Sequence, residues 1–562
     1  MPIRICRASA LGLAAAALWF VTACAPGTGV RPDNPGASGP PEAAIEVAEK
    51  ALAERDYPTA AKAYREAAQR SDDETIAEQA TRMAFDHHQL REATRAAERW
   101  LQLNPTSENA RRYAGVAALK LHRLDDAEQH FAGLLETVYI SPAAGFLALS
   151  PVVSGEAVAA DVMELFRRLS LRHPDVAEGH FAYGSAALRA DNFAAAERAA
   201  ETAVAKAPFW KPAKMLLARA RIATGKEDDG LAIARDLVTD PDSDVSTHLE
   251  YALMLAATGH DEEARAMLTP YASGKTVIPG AVRTLGVMDL DAGNLESAGT
   301  QFENLLSTGA QSYEALYYLG VIAERRKELD RAERYYSRVV AGDYSLPAQQ
   351  RLARIKAEQS GIEAGLVQLD EFARAQPQFG PDVYAAKAAL LSSEGDDRRA
   401  AQVYDEGLQR YPDVVDLRMN RVFFYERTGK QDAAIRELRE MLADRPGDAQ
   451  LQNALGYTLA DNDRNLDEAR ALVTAALEQS PDNAATLDSM GWLLHREGRN
   501  SEALEFLQRA AKSAADPEID LHIGEVQWAL GQQDAARGTW STALEKAPDN
   551  DKLRERLERA RR

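Results

Sequence analysis

The sequence predicts an all-α solenoid of stacked helical hairpins, and three periodic features predict it. A small residue, Ala or Gly, recurs about every 34 residues along the 562-residue chain: Ala60, Ala93, Ala127, Ala196, Gly230, Ala264, Ala298, Ala332, Gly365, Ala400, Ala434, Ala469, Ala503 and Ala536. Twelve residues ahead of most of these stands a second small residue, among them Ala48, Gly115, Gly184, Ala218, Gly286, Gly320, Gly491 and Gly524. Four residues after the beat comes a bulky side chain such as Tyr64, Phe131, Phe302, Tyr336, Tyr404, Leu507 or Trp540. A fixed period in the thirties marks units that bury their apolar faces only against their neighbours.

Within one unit the offsets of 0, 4 and 7 from the beat put three residues on one face of a helix. The earlier small residue marks the buried stripe of a preceding helix, and small residues on both stripes let the two backbones approach closely. Turns such as Thr428, Gly429, Lys430 and Glu497, Gly498, Arg499 separate the two, with Gly suited to a helix C-terminus. A proline twelve residues after the beat, as at Pro105, Pro208, Pro412 and Pro481, ends the second helix and starts the next unit. The interval from Ala127 to Ala196 is two periods long and holds one degenerate unit near residues 141–174. That lapse is the expected bend or specialised surface of the stack.

The pattern resembles the tetratricopeptide repeat. Leu487, Asp488, Ser489, Met490, Gly491 and Trp492 with Ala503, Leu507 and Ala510 fit one repeat; Ile523 and Gly524 with Ala536, Trp540, Ala543 and Pro548 fit the next. The resemblance implies a right-handed superhelical solenoid of about 14–15 repeats over residues 42–550. Residues 551–562, basic and alternating with Leu553 and Leu557, read as a helix capping the open end.

The N-terminus reads as a targeting segment. Arg4 and Arg7 precede an uncharged apolar stretch over residues 8–21, and Val21, Thr22, Ala23 and Cys24 follow. A charged start, a short apolar stretch and small residues before a cut describe a secretory signal. The last four residues resemble a bacterial lipobox. That resemblance implies a signal peptide over residues 1–23 and a lipidated Cys24. Ala25 after the cysteine points to the outer membrane. With Cys6 removed and Cys24 acylated, no thiol is left for a disulfide, a metal or catalysis. Residues 24–41, rich in Pro, Gly and Ser, form the linker that would hang the solenoid in the periplasm.

Charge and motifs narrow the function. The net charge of −20 argues against nucleic acid and against lying flat on an anionic membrane. No zinc-protease helix, no nucleophile elbow and no phosphate-binding loop with its Lys-Ser or Lys-Thr occurs in the sequence. His87 and His88 are the adjacent histidine pair; read as helical neighbours they point about 100° apart and suit one metal poorly. No cofactor and no catalytic residue is therefore expected, and protein partners are.

In tetratricopeptide stacks the first helix of each hairpin faces the concave side. Its exposed stripe then includes Asn453 and Tyr457, Asp488, Trp492, His495 and Arg496, and Leu521, Glu525 and Trp528. Rings beside polar groups are what recognition surfaces use, so Tyr457, Trp492 and Trp528 form the candidate partner-binding cluster. The alternative is that these rings pack between neighbouring helices. Ala454 to Asp461, the Asp488–Trp492 run and His522 to Gly531, with the lipobox, resemble a proteobacterial family of outer-membrane tetratricopeptide-repeat lipoproteins. One branch binds a periplasmic carboxyl-terminal processing protease. The resemblance implies a non-catalytic adaptor that presents cell-wall hydrolases to that protease. A scaffold of an exopolysaccharide or pilus machine is the alternative.

Overall fold

The computed structural model describes residues 40–273, 277–514, 516–548 and 550–560. The expected signal peptide, Cys24 and nearly all of the linker lie outside the described residues. The described residues run as fifteen helical hairpins and a final helix. The first five are α1 (Pro41–Ala53) and α2 (Tyr57–Gln69), α3 (Glu74–Asp86) and α4 (Leu90–Leu103), α5 (Glu108–Lys120) and α6 (Leu124–Thr137), α7 (Pro142–Ser154) and α8 (Ala159–Arg172), α9 (Ala177–Arg189) and α10 (Phe193–Lys206). The next five are α11 (Lys211–Ala223) and α12 (Glu227–Thr239), α13 (Val245–Ala257) and α14 (Asp261–Ser273), α15 (Pro279–Asp291) and α16 (Leu295–Ser307), α17 (Ser312–Arg325) and α18 (Leu329–Tyr336), α19 (Ser345–Ser360) and α20 (Ile362–Ala375). The last are α21 (Gly380–Ser393) and α22 (Asp397–Arg410), α23 (Val415–Arg427) and α24 (Gln431–Asp444), α25 (Ala449–Asp461) and α26 (Leu466–Gln479), α27 (Ala484–Arg496) and α28 (Asn500–Ser513), α29 (Pro517–Ala529) and α30 (Gln533–Lys546), followed by α31 (Asp551–Ala560). Among the described residues there is no strand, and no helix is long and apolar enough to cross a membrane.

The periodic small residues do what their spacing implies. Ala60, Ala127, Ala196, Ala264, Ala298, Ala332 and Ala400 are wholly buried in the second helices. The glycines of the first helices are seats for the bulky residue four after the beat. A Cβ on Gly115 would lie 2.8 Å from the Phe131 ring, on Gly286 3.0 Å from Phe302, on Gly320 2.4 Å from Tyr336 and on Gly524 2.0 Å from Trp540. The ring fills the volume that the missing side chain leaves, and so sets the spacing of the two helices.

Fourteen of the fifteen hairpin turns contain a residue with positive φ, which reverses the chain after the first helix. Glycine fills many of these, for example Gly225, Gly395 and Gly498; elsewhere the position is Arg55, His88, His122, Asp191, Lys327 or Asp463. The hairpin of α7 and α8 is the exception: its turn residue Gly155 has φ −95°. Without the reversal, α7 barely touches α8 and packs on α9 instead. This is the degenerate unit of the sequence. From Tyr139 to Gly155 it carries no charge, and it leaves Ile140, Leu147 and Val152 exposed.

First helices approach the first helices of neighbouring hairpins more often than second helices approach one another, so the odd-numbered helices form the inner wall of the superhelix. After about nine hairpins the superhelix completes a turn and meets itself. Gln89 Nε2 donates to the Arg410 carbonyl (3.0 Å), 321 residues away, and the Arg91 amide donates to Asp413 (3.1 Å). The hairpin turns of the first three units thus abut the loops that link α20 to α21, α22 to α23 and α24 to α25.

Candidate partner-binding surfaces

Two surfaces stand out: the inner wall near the C-terminus, and the seam where the superhelical turn closes. On the inner wall, α25, α27 and α29 bring Tyr457, Trp492, His495 and His522 together. Trp492 stacks on His522 with ring centroids 4.2 Å apart and 20° between planes, and lies 5.1 Å from His495. Tyr457 reaches His522 from the other side at 6.2 Å. Helical spacing makes this possible, since Tyr457 and Trp492 each directly follow the glycine that seats the next helix.

Carboxylates fix these rings. His522 Nδ1 lies 2.8 Å from Asp488 Oδ1, and Trp492 Nε1 donates to Asp461 (3.1 Å). The Tyr457 hydroxyl reaches Glu518 at 3.4 Å. Burial pushes the Asp488 carboxyl up, and the His522 beside it pulls the other way. Burial likewise raises Glu426, with Asp461 and Glu518 adding to the effect, and raises Glu525, which Arg556 counters. The inner wall here sets a ring cluster among the carboxylates of Asp461, Asp488 and Glu518.

The structure modifies the expected exposed stripe. Asp488 and Trp492 are each only 7 % exposed, because α29 of the next hairpin covers them. Tyr457, Asn453 and His495 remain half-buried at the rim, and the buried Oδ1 of Asn453 has no hydrogen-bond partner among the described residues. Trp528 does not join the cluster: it stacks on Trp540 at 5.9 Å, against the apolar seat of α31. The ring that takes its place is His522, buried at 3 % exposure and one position outside the stripe read from the sequence.

The seam was not legible in the repeat pattern. His87 and His88 sit in the turn after α3 rather than in a helix. His87 stacks on Tyr57 at 4.2 Å, while His88 Nε2 donates to the Gln378 carbonyl (2.7 Å) and its ring meets Tyr411 edge-on. The Arg91 guanidinium pairs with Asp413 at 3.0 Å. His122, in the next turn, lies 2.5 Å from Asp161 and 3.9 Å from Asp448. Burial lowers the pKa of His88 and raises that of Asp413, so the closed seam favours the neutral form of both. A cavity of about 470 Å³ lies along it, with Arg91, Arg95 and Leu121 on one side and Pro412, Arg418 and Met441 on the other. The signal that could have marked these positions is the histidine at two turns where other units place glycine.

The fold and these surfaces define a class: a helical-repeat scaffold whose business is protein–protein interaction. More particularly, the chain carries tetratricopeptide repeats. Models of the tetratricopeptide repeat match residues 164–211, 284–345 and 425–484, and a second such model matches residues 463–520. The TPR repeat-containing protein PA4667 of Pseudomonas aeruginosa is 34 % identical over 211 residues, which are 38 % of this chain and 36 % of the relative. The chain thus spans about a third of the length of the curated relative it matches. Similar solved structures include the APC/C hetero-tetramer Cut9–Hcn1, at 14 % identity and TM-score 0.31 over 92 % of this chain and 96 % of that one. Yeast Tom70 is 14 % identical with TM-score 0.34 over 82 % and 96 %, and the thermophilic TPR protein TTC0263 of Thermus thermophilus is 20 % identical with TM-score 0.29 over 32 % and 98 %.

Proposed function

We propose that the protein is a non-catalytic adaptor, anchored to the outer membrane through a lipidated Cys24 and facing the periplasm. It binds a carboxyl-terminal processing protease together with that protease's cell-wall hydrolase substrates. The observation that carries this reading is the half-buried rim of Asn453, Tyr457 and His495, held by the packed Trp492–His522 pair on the inner wall of α25, α27 and α29. Those residues fall in or beside the segments that resemble the lipoprotein adaptors. Co-binding on one scaffold raises the effective concentration of substrate at the protease without any chemistry by the scaffold.

The test uses the mature chain, its cognate protease and a cell-wall hydrolase. Alone the chain is expected to cleave nothing, and with the protease it accelerates degradation. Tyr457→Ala, at the half-exposed rim, is expected to weaken the stimulation at least tenfold in half-maximal concentration while the helical signal stays unchanged. A protease that runs equally fast with and without the chain refutes the proposal.

A further inference from the structure

Several charges of the inner wall are held in close pairs. Arg283 reaches Glu314 at 3.4 Å, Arg351 reaches Glu324 at 2.6 Å, and Arg418 reaches Glu437 at 2.6 Å. Between α11 and α13, Arg219 and Glu250 face one pocket without joining. The Arg219 Nε and the Glu250 Oε2 are both buried and both lack a hydrogen-bond partner among the described residues. Burial raises the Glu250 carboxyl, Arg219 is the main countering charge, and Asp244 adds to the rise. Neighbouring charged groups are already engaged. Lys211 Nζ holds Asp240 (3.1 Å) and the Asp242 carbonyl (3.1 Å), and Asp244 caps α13 through the Thr247 amide (2.8 Å).

The pocket between them has a volume of about 330 Å³ and an apolar floor. Met215 and Leu237 form that floor, Pro212 a flank and Phe181 a wall, the last braced by Trp210 at 4.8 Å. A ligand that satisfies the site must offer an acceptor to Arg219, a donor to Glu250 and an apolar group to the floor. A carboxylate would serve Arg219 and be repelled by Glu250; an amine would do the reverse. A trans peptide group presents its carbonyl and its N–H to opposite sides, and its neighbouring side chain supplies the apolar group.

We propose that Arg219 and Glu250 clamp one peptide group of an extended segment of a partner protein, whose adjacent apolar side chain fills the pocket over Met215 and Leu237. This is a second docking point, separated from the ring cluster of α25, α27 and α29 by the five hairpins from α15 to α24, and it rests on the reading that the inner wall carries protein partners.

The probe is N-acetyl-leucine N-methylamide, titrated into the full mature chain and followed by saturation-transfer NMR. Millimolar binding is expected, weakened at least tenfold by Glu250→Ala and by Arg219→Ala, each checked for unchanged helicity. Met215→Trp, which fills the floor, is expected to abolish it, and Tyr457→Ala to leave it unchanged. Sodium acetate and butylamine are expected to compete at least tenfold less well than the probe. Equal binding by the wild type and the two alanine variants, absence of probe binding, or equal competition by either ion overturns the proposal. Probe binding by a chain that fails to stimulate the protease sinks the adaptor reading alone; stimulation without probe binding sinks this site alone.

Discussion

Closing a superhelical turn is a long-range contact in a molecule otherwise held by neighbours, so it can be opened without unfolding the repeats. The perturbation is the double variant Gln89→Ala with Arg91→Glu. Gln89 is 3 % exposed and donates across the seam to the Arg410 carbonyl. Its removal leaves that carbonyl unpaired, a cost of about 1–3 kcal/mol. Arg91 is 61 % exposed where it pairs with Asp413, so solvent limits that pair to about 0.5–1 kcal/mol. A glutamate there replaces attraction with repulsion of similar size. The two changes together remove about 2–5 kcal/mol before allowance for coupling between residues two apart. What remains is the Arg91 amide's hydrogen bond to Asp413, the His88–Gln378 hydrogen bond, the Tyr57 and His88 rings against Tyr411 and the His122–Asp448 approach. A ring pair contributes about 0.5–1.5 kcal/mol and a hydrogen bond about as much, so the loss is comparable with what these contacts still supply. Small-angle scattering is the assay: the variant is expected to show a larger radius of gyration and maximum dimension at unchanged far-UV ellipticity. Superimposable scattering curves would refute the idea of a separable seam, as would a variant whose helices melt together at a much lower temperature.

Other consequences are equally direct. Burial holds the pKa of His88 below its ordinary value of about 6.5, so its contribution to closure is complete above that pH and is lost as pH falls from it towards the depressed value. Burial raises Asp413, which acts with the opposite sign, since acid relieves the cost of burying its charge. The histidine part is therefore read as a difference: between pH 7.5 and 5.5 the wild type is expected to expand more than His88→Gln, and equal expansion argues against it. Gly320→Ala drives a Cβ to 2.4 Å from the Tyr336 ring and is expected to cost about 1–3 kcal/mol in urea unfolding. Gly538→Ala in α30, where nothing lies within 4 Å, is expected to gain about 0.5–1 kcal/mol.

The repeat was legible because everything that defines it is local. Gly320 and Tyr336 are sixteen residues apart, and their fit needs only two adjacent helices. The degenerate unit was legible as a lapse in the beat, though the sequence did not show that α7 would swing from α8 onto α9. The ring cluster was half legible. Tyr457, Trp492 and His495 follow from helical phase, which places them on the inner wall, but phase says nothing about what the next hairpin covers. That is why Trp492 came out buried, His522 was passed over and Trp528 was drawn away to Trp540 by the packing of α31.

The seam depends on a quantity no single repeat contains, the small rotation per hairpin summed over about nine of them. Yet the chain bears a local mark of it. At His88 (φ 58°) and His122 (φ 57°) a β-carbon occupies a backbone conformation that costs a non-glycine residue free energy, although the hairpin turns at Gly225, Gly395 and Gly498 meet the same need with glycine. Glycine at either position would relieve the turn but could offer nothing to Gln378, Tyr411 or Asp448. At these two turns the side chain that accepts the strained position also reaches the other end of the superhelical turn. Positive φ without glycine does not mark the seam by itself, since Asp191, Lys327 and Asp463 share it; the histidine does, because it carries a ring and a hydrogen-bonding nitrogen to the distant loop.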